Sequence, residues 1–399
     1  MHILYTIGQS TGGLPHYTAE LANCIADHAD VTVFKPRETS ADDLFRDDIE
    51  LVNAFEPIGI SMPSLYKFEV SPLDIFRGLY SYDALRDVVG YDPDIIHDST
   101  GLFPQVKFFA KLHGLDEHCP FITTRHEVPV NRFSFSRPPV FAEEMLNLVI
   151  PDIHEERTVV HTKRQKEVLV GRGFDEEDVV VIPHGAYSIF GDVEDIDRDP
   201  EENTLLFFGN IVPPKGLDTL VEAVEILREE IPDVKLIIAG DGQLPRDVRK
   251  IVNRSPENYE LHLRFIPNEE VKEFFARATV VTMPYRSQQG TKGHSGVLAT
   301  AFSFGKPVVA STASEFPEQI EGQGCGLVVP PEDPVQLANA LRDVLSDEES
   351  RSIMSKNSLR MKETLSWENV SRQYLDLYHS ALSDNHQKRE WLTIQKSSR

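Results

Sequence analysis

Two stretches of this chain open in the same way, and that repetition constrains the fold more than any other feature. His2 to Ile7 is apolar and β-rich, Gly8-Gln-Ser-Thr-Gly-Gly-Leu14 is a loop, and Pro15 suits the first turn of a helix. Tyr17, Leu21, Ala22 and Ile25 then carry a helical stripe to about Ala29, and Val31 to Phe34 is a second apolar run. The pattern restarts at Thr204 to Gly209, with a loop at Asn210 to Gly216. A helical face follows at Leu217, Leu220, Val221, Val224, Leu227 and Ile231, and a strand at Val234 to Ala239. Strand, loop, helix and returning strand form the unit from which parallel sheets are built. Asp94–His97, Phe121–Thr124, Arg157–Val160 and Val179–Ile182 read as further short strands. The spacing therefore predicts an α/β protein with two Rossmann-like, doubly wound halves.

A chain of 399 residues is too long for one ordinary core, which agrees with two domains. The acidic run Gly191 to Asn203 carries no core residues and reads as a linker. The expected boundaries are a first domain at 1–188, a linker at 189–203 and a second domain at 204–375. A C-terminal helix and tail at 376–399 are expected to pack back on the first domain.

The formal net charge of -24 excludes broad nucleic-acid binding, which needs a basic face. Acid is spread along the chain and arginine outnumbers lysine, a pattern that favours adaptation to high salt over an ordinary acidic protein. The three cysteines, Cys24, Cys119 and Cys325, lie far apart with no metal or redox spacing and read as buried thiols. No run approaches the roughly 18 apolar residues of a membrane span. Met1-His-Ile-Leu-Tyr enters a strand at once, so a cytoplasmic location is expected.

The most chemically pointed stretch is Lys292-Gly-His-Ser-Gly-Val-Leu-Ala-Thr300 with its continuation to Ser311. Val297, Leu298, Ala301 and Phe302 fall on one helical face, Gly305 closes the helix, and Val308 to Ala310 is a strand. The helix start behind Ser295 and Gly296 presents unpaired amides, which suits a phosphate.

These segments, with LLFFGNIVPPKGLDTLVEAVEIL (205–227), KLIIAGDGQL (235–244), FIPNEEVKEFFARATVVTMPY (265–285), SGVLATAFSFGKPVVAS (295–311) and SEFPEQI (314–320), resemble the retaining, family-four glycosyltransferases of the GT-B fold. The first half matches less densely, through GGLPHYTAELA (12–22), PDIIHDSTG (93–101), TTRHEVP (123–129), VVHTKRQKEVL (159–169) and VVVIPHG (179–185). The resemblance implies two domains facing a cleft and transfer of a sugar from a nucleotide-diphosphate sugar with retention. It implies no catalytic metal and no other cofactor. The donor would lie on the second domain and the acceptor on the first. Lys215 stands at the family's phosphate-binding lysine, and Ser295-Gly296 at its helix start. Glu318 in Phe-Pro-Glu matches a family position near that loop, and Gly13 lets main chain approach the ligand. The sequence departs from the family at three donor positions: Asn210 replaces an arginine, and Lys292 and Thr300 replace two glutamates. A subset of the family shares a Ser-Gly-Val-containing loop without the glutamates.

On the first domain, His126 matches a histidine placed near the transferring sugar, beside Glu127; a loop histidine is the plainer reading. His97 ends a strand and is assigned either to the acceptor site or to packing. His161 and His184 read as structural, and His113 and His118 as exposed. Asp195, Asp197 and Asp199 sit in the linker and read as solvated charge. Phe133 to Phe141 is read as core rather than as a membrane contact.

The favoured function is a hexosyltransferase that extends a cell-surface or protein-linked glycan. The expected partners are a nucleotide-sugar donor and a glycan or lipid-linked acceptor, with peripheral association at the inner membrane face. The alternatives are a non-catalytic partner that kept the fold and a nucleotide-sugar epimerase.

Overall fold

The computed structural model describes residues 1–56, 72–129, 145, 150–191, 200–286, 291–293 and 295–397, with the side chains of 72–75, 291–293 and 387–397 outside the description. The chain divides into two compact units. Among the described residues, unit 1 comprises those up to His184 together with those from Trp367 onward, and unit 2 comprises Gly185–Ser366.

The strands of unit 1 are β1 (His2–Thr6), β2 (Asp30–Pro36), β3 (Glu50–Phe55), β4 (Ile95–Asp98), β5 (Phe121–Arg125), the short β6 (Glu127–Pro129), β7 (Arg157–Val160) and β8 (Val179–Val181). All but β6 form one parallel sheet of seven strands, in the order β3-β2-β1-β4-β5-β7-β8. Ile3, Leu4 and Tyr5 are consecutive and all buried, because a parallel sheet is covered on both faces. Ile3 and Tyr5 pack with the helix Gly13–Ile25 and with Trp367, Tyr374 and Tyr378. Leu4 belongs to the opposite core, formed with Tyr82, Val106 and Phe109. The edge strand β3 is additional to the sequence expectation: it mixes exposed and half-buried residues, and only its last, Phe55, is fully buried.

Unit 2 repeats the design. Its strands are β9 (Thr204–Phe208), β10 (Lys235–Ala239), β11 (Tyr259–His262), β12 (Val280–Met283), the short β13 (Thr291–Gly293), β14 (Val308–Ser311) and β15 (Gly326–Val329). Apart from β13 they form a six-stranded parallel sheet in the order β11-β10-β9-β12-β14-β15. Leu205 and Phe207 bury against the helices Leu217–Leu227 and Pro334–Ser346. Leu206 faces the core shared with Asn268–Arg277 and Gly296–Ser303. Close backbone approach makes one glycine obligatory here. Gly240 has φ +157°, and a Cβ on it would lie 1.8 Å from the carbonyl oxygen of Gly209.

The unit boundaries differ from those expected. Unit 1 gives way after His184, before residue 188, and Asp195, Asp197 and Asp199 lie outside the described residues. The return to unit 1 begins at Trp367, ahead of residue 376. The reason is a helical stripe of Trp367, Val370, Tyr374, Tyr378 and Ala381, all buried in the unit 1 core. Among the described residues no helix is long and apolar enough to cross a membrane. The stretch Phe133 to Phe141 is outside them.

Candidate functional site

In unit 2 the chain brings Lys215 and Ser295 to one phenol. Lys215 ends a single 3₁₀ turn, Pro213–Lys215, directly after β9 and its loop. Its ammonium donates to the Tyr285 hydroxyl and lies 3.7 Å from the centre of that ring. The same hydroxyl is 3.0 Å from Oγ of Ser295, the residue directly before the helix Gly296–Ser303. Two features hold the turn against Tyr285. The amide of Arg286 donates to the Pro214 carbonyl at 3.0 Å, and the Arg286 side chain pairs with Asp218. Gly216 follows at φ +69°, where a Cβ would sit 1.9 Å from the carbonyl oxygen of Pro284.

The helix start is only partly open. The Ser295 amide donates to Oε1 of Glu315 at 3.1 Å, and Oε2 of Glu315 accepts the Ser314 hydroxyl at 2.6 Å. Leu298 and Ala299 donate to the Ser295 carbonyl, which leaves the Gly296 and Val297 amides as the orphan donors of this helix among the described residues. Burial pushes the Glu315 carboxyl up to about 7, against the opposing pull of its hydrogen bonds and of the Lys215 charge. Lys215, the orphan amides and the N-terminal end of the helix dipole all favour an anion.

The other expected donor residues are distributed as follows. Gly296 opens the helix and is half-buried. Thr300 is buried and its hydroxyl donates to the Gly296 carbonyl at 2.8 Å, so it is turned back on its own helix. Asn210 is exposed beyond the end of β9, and Glu318 is exposed in the turn Pro317–Glu321. Of the two acids in Ser-Glu-Phe-Pro-Glu, it is Glu315 that reaches the helix start. Lys292 lies in β13 with its side chain outside the described residues. Gly13 is the exposed first residue of its helix in unit 1, behind Gly12 at φ 92°.

Unit 1 gathers histidines. His126 Nε2 donates to the Ser99 carbonyl at 2.9 Å, and His161 Nδ1 donates to the Ile182 carbonyl at 3.0 Å. Their remaining nitrogens, His126 Nδ1 and His161 Nε2, face each other at 3.1 Å. Carbonyls only accept, so three hydrogen bonds on four nitrogens need three protons, one more than two neutral rings carry. Burial opposes the extra charge: it pushes His126 down to about 4 and His161 well below its ordinary value, with the charges of His126 and His184 adding to the latter. The Tyr17 ring meets His126 edge-on, and His184 lies beside Tyr17, His161 and Trp367. His161 is thus part of the His126 site rather than a remote structural residue.

Two supports set this geometry. One oxygen of the buried Asp98 accepts the amides of Thr100, Gly101 and Leu102, which fixes the loop carrying the Ser99 carbonyl. The buried Gln165 amide donates to the His126 carbonyl at 2.9 Å, while its oxygen accepts the amides of His161 and Thr162. Gln165 is also the N3 partner of Thr162 in a capping box, so Thr-Lys-Arg-Gln is the sequence signal that could have found it.

His97 corrects an expectation. It has no exposed surface, and its ring nitrogens are bonded to Tyr378 Oη at 2.7 Å and Thr124 Oγ1 at 2.8 Å, which takes it out of reach of an acceptor. Burial pushes it down to about 3. It belongs to a buried polar chain that runs from Tyr5 through Tyr378, His97, Thr124 and Tyr374 to Tyr17. Glu127 is exposed in β6. His113 is not simply exposed, for its Nε2 pairs with Asp83 at 3.0 Å. Cys119 and Cys325 are buried free thiols, and Cys24 is half-buried.

Comparison with known proteins identifies the class. Residues 11–186 match the family described as Glycosyltransferase Family 4, and residues 202–347 that described as Glycosyl transferases group 1. Both halves of the chain thus match glycosyltransferase families. A D-inositol 3-phosphate glycosyltransferase of Nocardioides sp. is 30% identical over 203 residues, covering 45% of this chain and 42% of the relative. A GDP-mannose-dependent alpha-(1-6)-phosphatidylinositol monomannoside mannosyltransferase of Mycobacterium tuberculosis is 29% identical over 153 residues, covering 37% of this chain and 39% of the relative. The matches thus span less than half the length of these relatives. The crystal structure of Anabaena HepE in complex with UDP is similar with a TM-score of 0.67 at 17% identity, over 95% of this chain and 100% of that one. The fold is GT-B.

Proposed function

We propose that the chain transfers a hexose from a nucleotide-diphosphate sugar to a glycan or lipid-linked saccharide, with retention and without a catalytic metal. The donor's pyrophosphate is read onto unit 2, at Lys215 and the Gly296 and Val297 amides. There an ammonium and fixed main-chain dipoles would stabilise the charge that develops on the departing diphosphate. Ser295 and Tyr285 hold these groups in place. His126, with Glu127, is assigned to the sugar and acceptor side on unit 1.

One observation carries this reading. Lys215 and Ser295 are far apart in sequence, yet both bond one phenol at the start of the helix Gly296–Ser303. That convergence is what a phosphate site requires, and solvated loop residues have no reason to show it. The relatives add support: one is named as GDP-mannose-dependent, and HepE was crystallised with UDP.

The test is calorimetric titration of the full chain with UDP-glucose and GDP-mannose, followed by a donor screen read by mass spectrometry. Micromolar binding with sugar transfer to a saccharide acceptor is the expected result. A folded protein that binds neither probe overturns the reading in favour of a non-catalytic partner. Interconversion of the donor sugar without any acceptor would instead indicate an epimerase.

A further inference from the structure

Glu315 is out of keeping with an anion site. It is 7% exposed, its carboxylate takes the amide that leads into the helix Gly296–Ser303, and it feels the Lys215 charge. The helix start and Lys215 are the groups assigned above to the donor's phosphates. A carboxylate and a pyrophosphate in one buried setting would compete for the same positive field, and bringing them together while both are charged is unfavourable. The Ser314 hydroxyl on Oε2 and the Ser295 amide on Oε1 hold Glu315 in place, so swinging away would break both bonds. The simplest escape is protonation. A neutral carboxyl keeps one oxygen as an acceptor for Ser295 and no longer repels the ligand.

We propose that Glu315 is the internal occupant of the donor anion site, and that a nucleotide-diphosphate sugar binds to unit 2 together with a proton taken up by Glu315. Of the described charged groups, Lys215, from the turn Pro213–Lys215, pulls the Glu315 titration downward; Tyr285 stands between Lys215 and Ser295, and Lys292 and His294 lie outside the described side chains. Burial already pushes the Glu315 carboxyl up to about 7 without a ligand, so a nearby phosphate moves its titration further upward, into the range above neutrality. The donor site would then favour its ligand in mildly acidic solution.

This rests on the donor reading, and one experiment separates the two. UDP-glucose and GDP-mannose are titrated into the full chain at pH 6, 7 and 8, in buffers of differing ionisation enthalpy; their pyrophosphate diesters do not titrate in that range. The expected result is proton uptake approaching one per site at pH 8, with affinity falling up to about tenfold between pH 7 and pH 8. Glu315→Gln should bind with the same affinity at all three pH values and show no buffer-dependent heat. The wild-type buffer dependence is informative even if that variant fails to fold. Binding without proton uptake overturns the proposal and leaves the donor reading standing. Absence of binding by either probe at every pH overturns the donor reading, and this proposal with it.

Discussion

The ammonium of Lys215 bonds the hydroxyl of Tyr285 while lying 3.7 Å from the centre of the same ring. The lysine is thereby held by a cation–π contact and a hydrogen bond, with no carboxylate directly bonded to it among the described residues. A lysine neutralised by an acid would have little field left for a ligand; one held by a phenol keeps its charge.

Lys215→Ala should therefore weaken sugar-nucleotide binding by roughly 10- to 100-fold, about 1.4–2.8 kcal/mol. Tyr285→Phe keeps the ring and the ammonium but loses the hydroxyl that links Lys215 to Ser295, and its expected loss is under about tenfold. Calorimetry with UDP-glucose or GDP-mannose distinguishes the two. Equal affinities for wild type and Lys215→Ala would remove the lysine from the site.

Gly216 makes the turn that carries Lys215. Its φ is +69°, and an added methyl group would lie 1.9 Å from the Pro284 carbonyl oxygen, so Gly216→Ala must displace either the turn or the loop beneath it. The cost should be about 2–4 kcal/mol in thermal or denaturant unfolding of unit 2, together with loss of sugar-nucleotide binding. A variant that melts like wild type and still binds would contradict the packing of Gly216 on Pro284.

Glu315 also predicts a stability effect in the absence of ligand. Its folded value of about 7 lies above the ordinary 4.5, so the folded state holds the proton more tightly than the unfolded chain. Its contribution is fully present below pH 4.5 and is lost as the pH rises through 7. Glu315→Gln should gain on wild type by on the order of 2–3 kcal/mol between about pH 5 and pH 8. Parallel melting curves at the two pH values check this, and a constant difference between the two proteins would refute it.

Unit 1 has the opposite dependence. His97, at about 3, and His126, at about 4, are held below the ordinary 6.5 by burial, as is His161. The unfolded chain takes up protons first as the pH falls. Stability supplied by these neutral rings is complete above pH 6.5 and declines as the pH drops toward 4, by roughly 3 kcal/mol for each of His97 and His126. Melting temperatures measured from about pH 7 to pH 4 should fall, and His97→Asn should flatten the fall. The short His126–His161 contact should appear in nitrogen-15 spectra as two rings titrating together rather than singly.

Much of this architecture is legible in particular residues. The apolar run His2 to Ile7 and its counterpart at Thr204 to Gly209 are central strands, buried on both faces, and such strands announce themselves. Lys215 and Ser295 are legible because a loop lysine and a glycine-led helix start suit a phosphate on chemical grounds. Tyr285 is not, since an aromatic after Pro284 reads as packing until its hydroxyl is seen between two partners. Glu315 is hidden for a similar reason: an acid in a loop reads as solvated, and only the fold sets it under the Ser295 amide. The strand Glu50–Phe55 escapes notice because its residues, exposed at Glu50 and Asn53, follow neither a strict alternation nor an unbroken apolar run. Lys306, which in sequence is only part of a stop signal, is buried and donates to the carbonyls of Ala276 and Ala278, a tertiary role that no local pattern encodes. His97 draws a ligand-binding reading because strand ends in these folds serve both ligands and packing.

The helix beginning at Trp367 supplies side chains to a core whose first strand begins at His2. During translation, every residue of unit 2 must leave the ribosome before unit 1 can acquire Trp367, Tyr374 and Tyr378. The amino-terminal half therefore finishes folding last, and a chain stopped at Ser366 would keep the whole of unit 2 while leaving unit 1 with an open apolar flank.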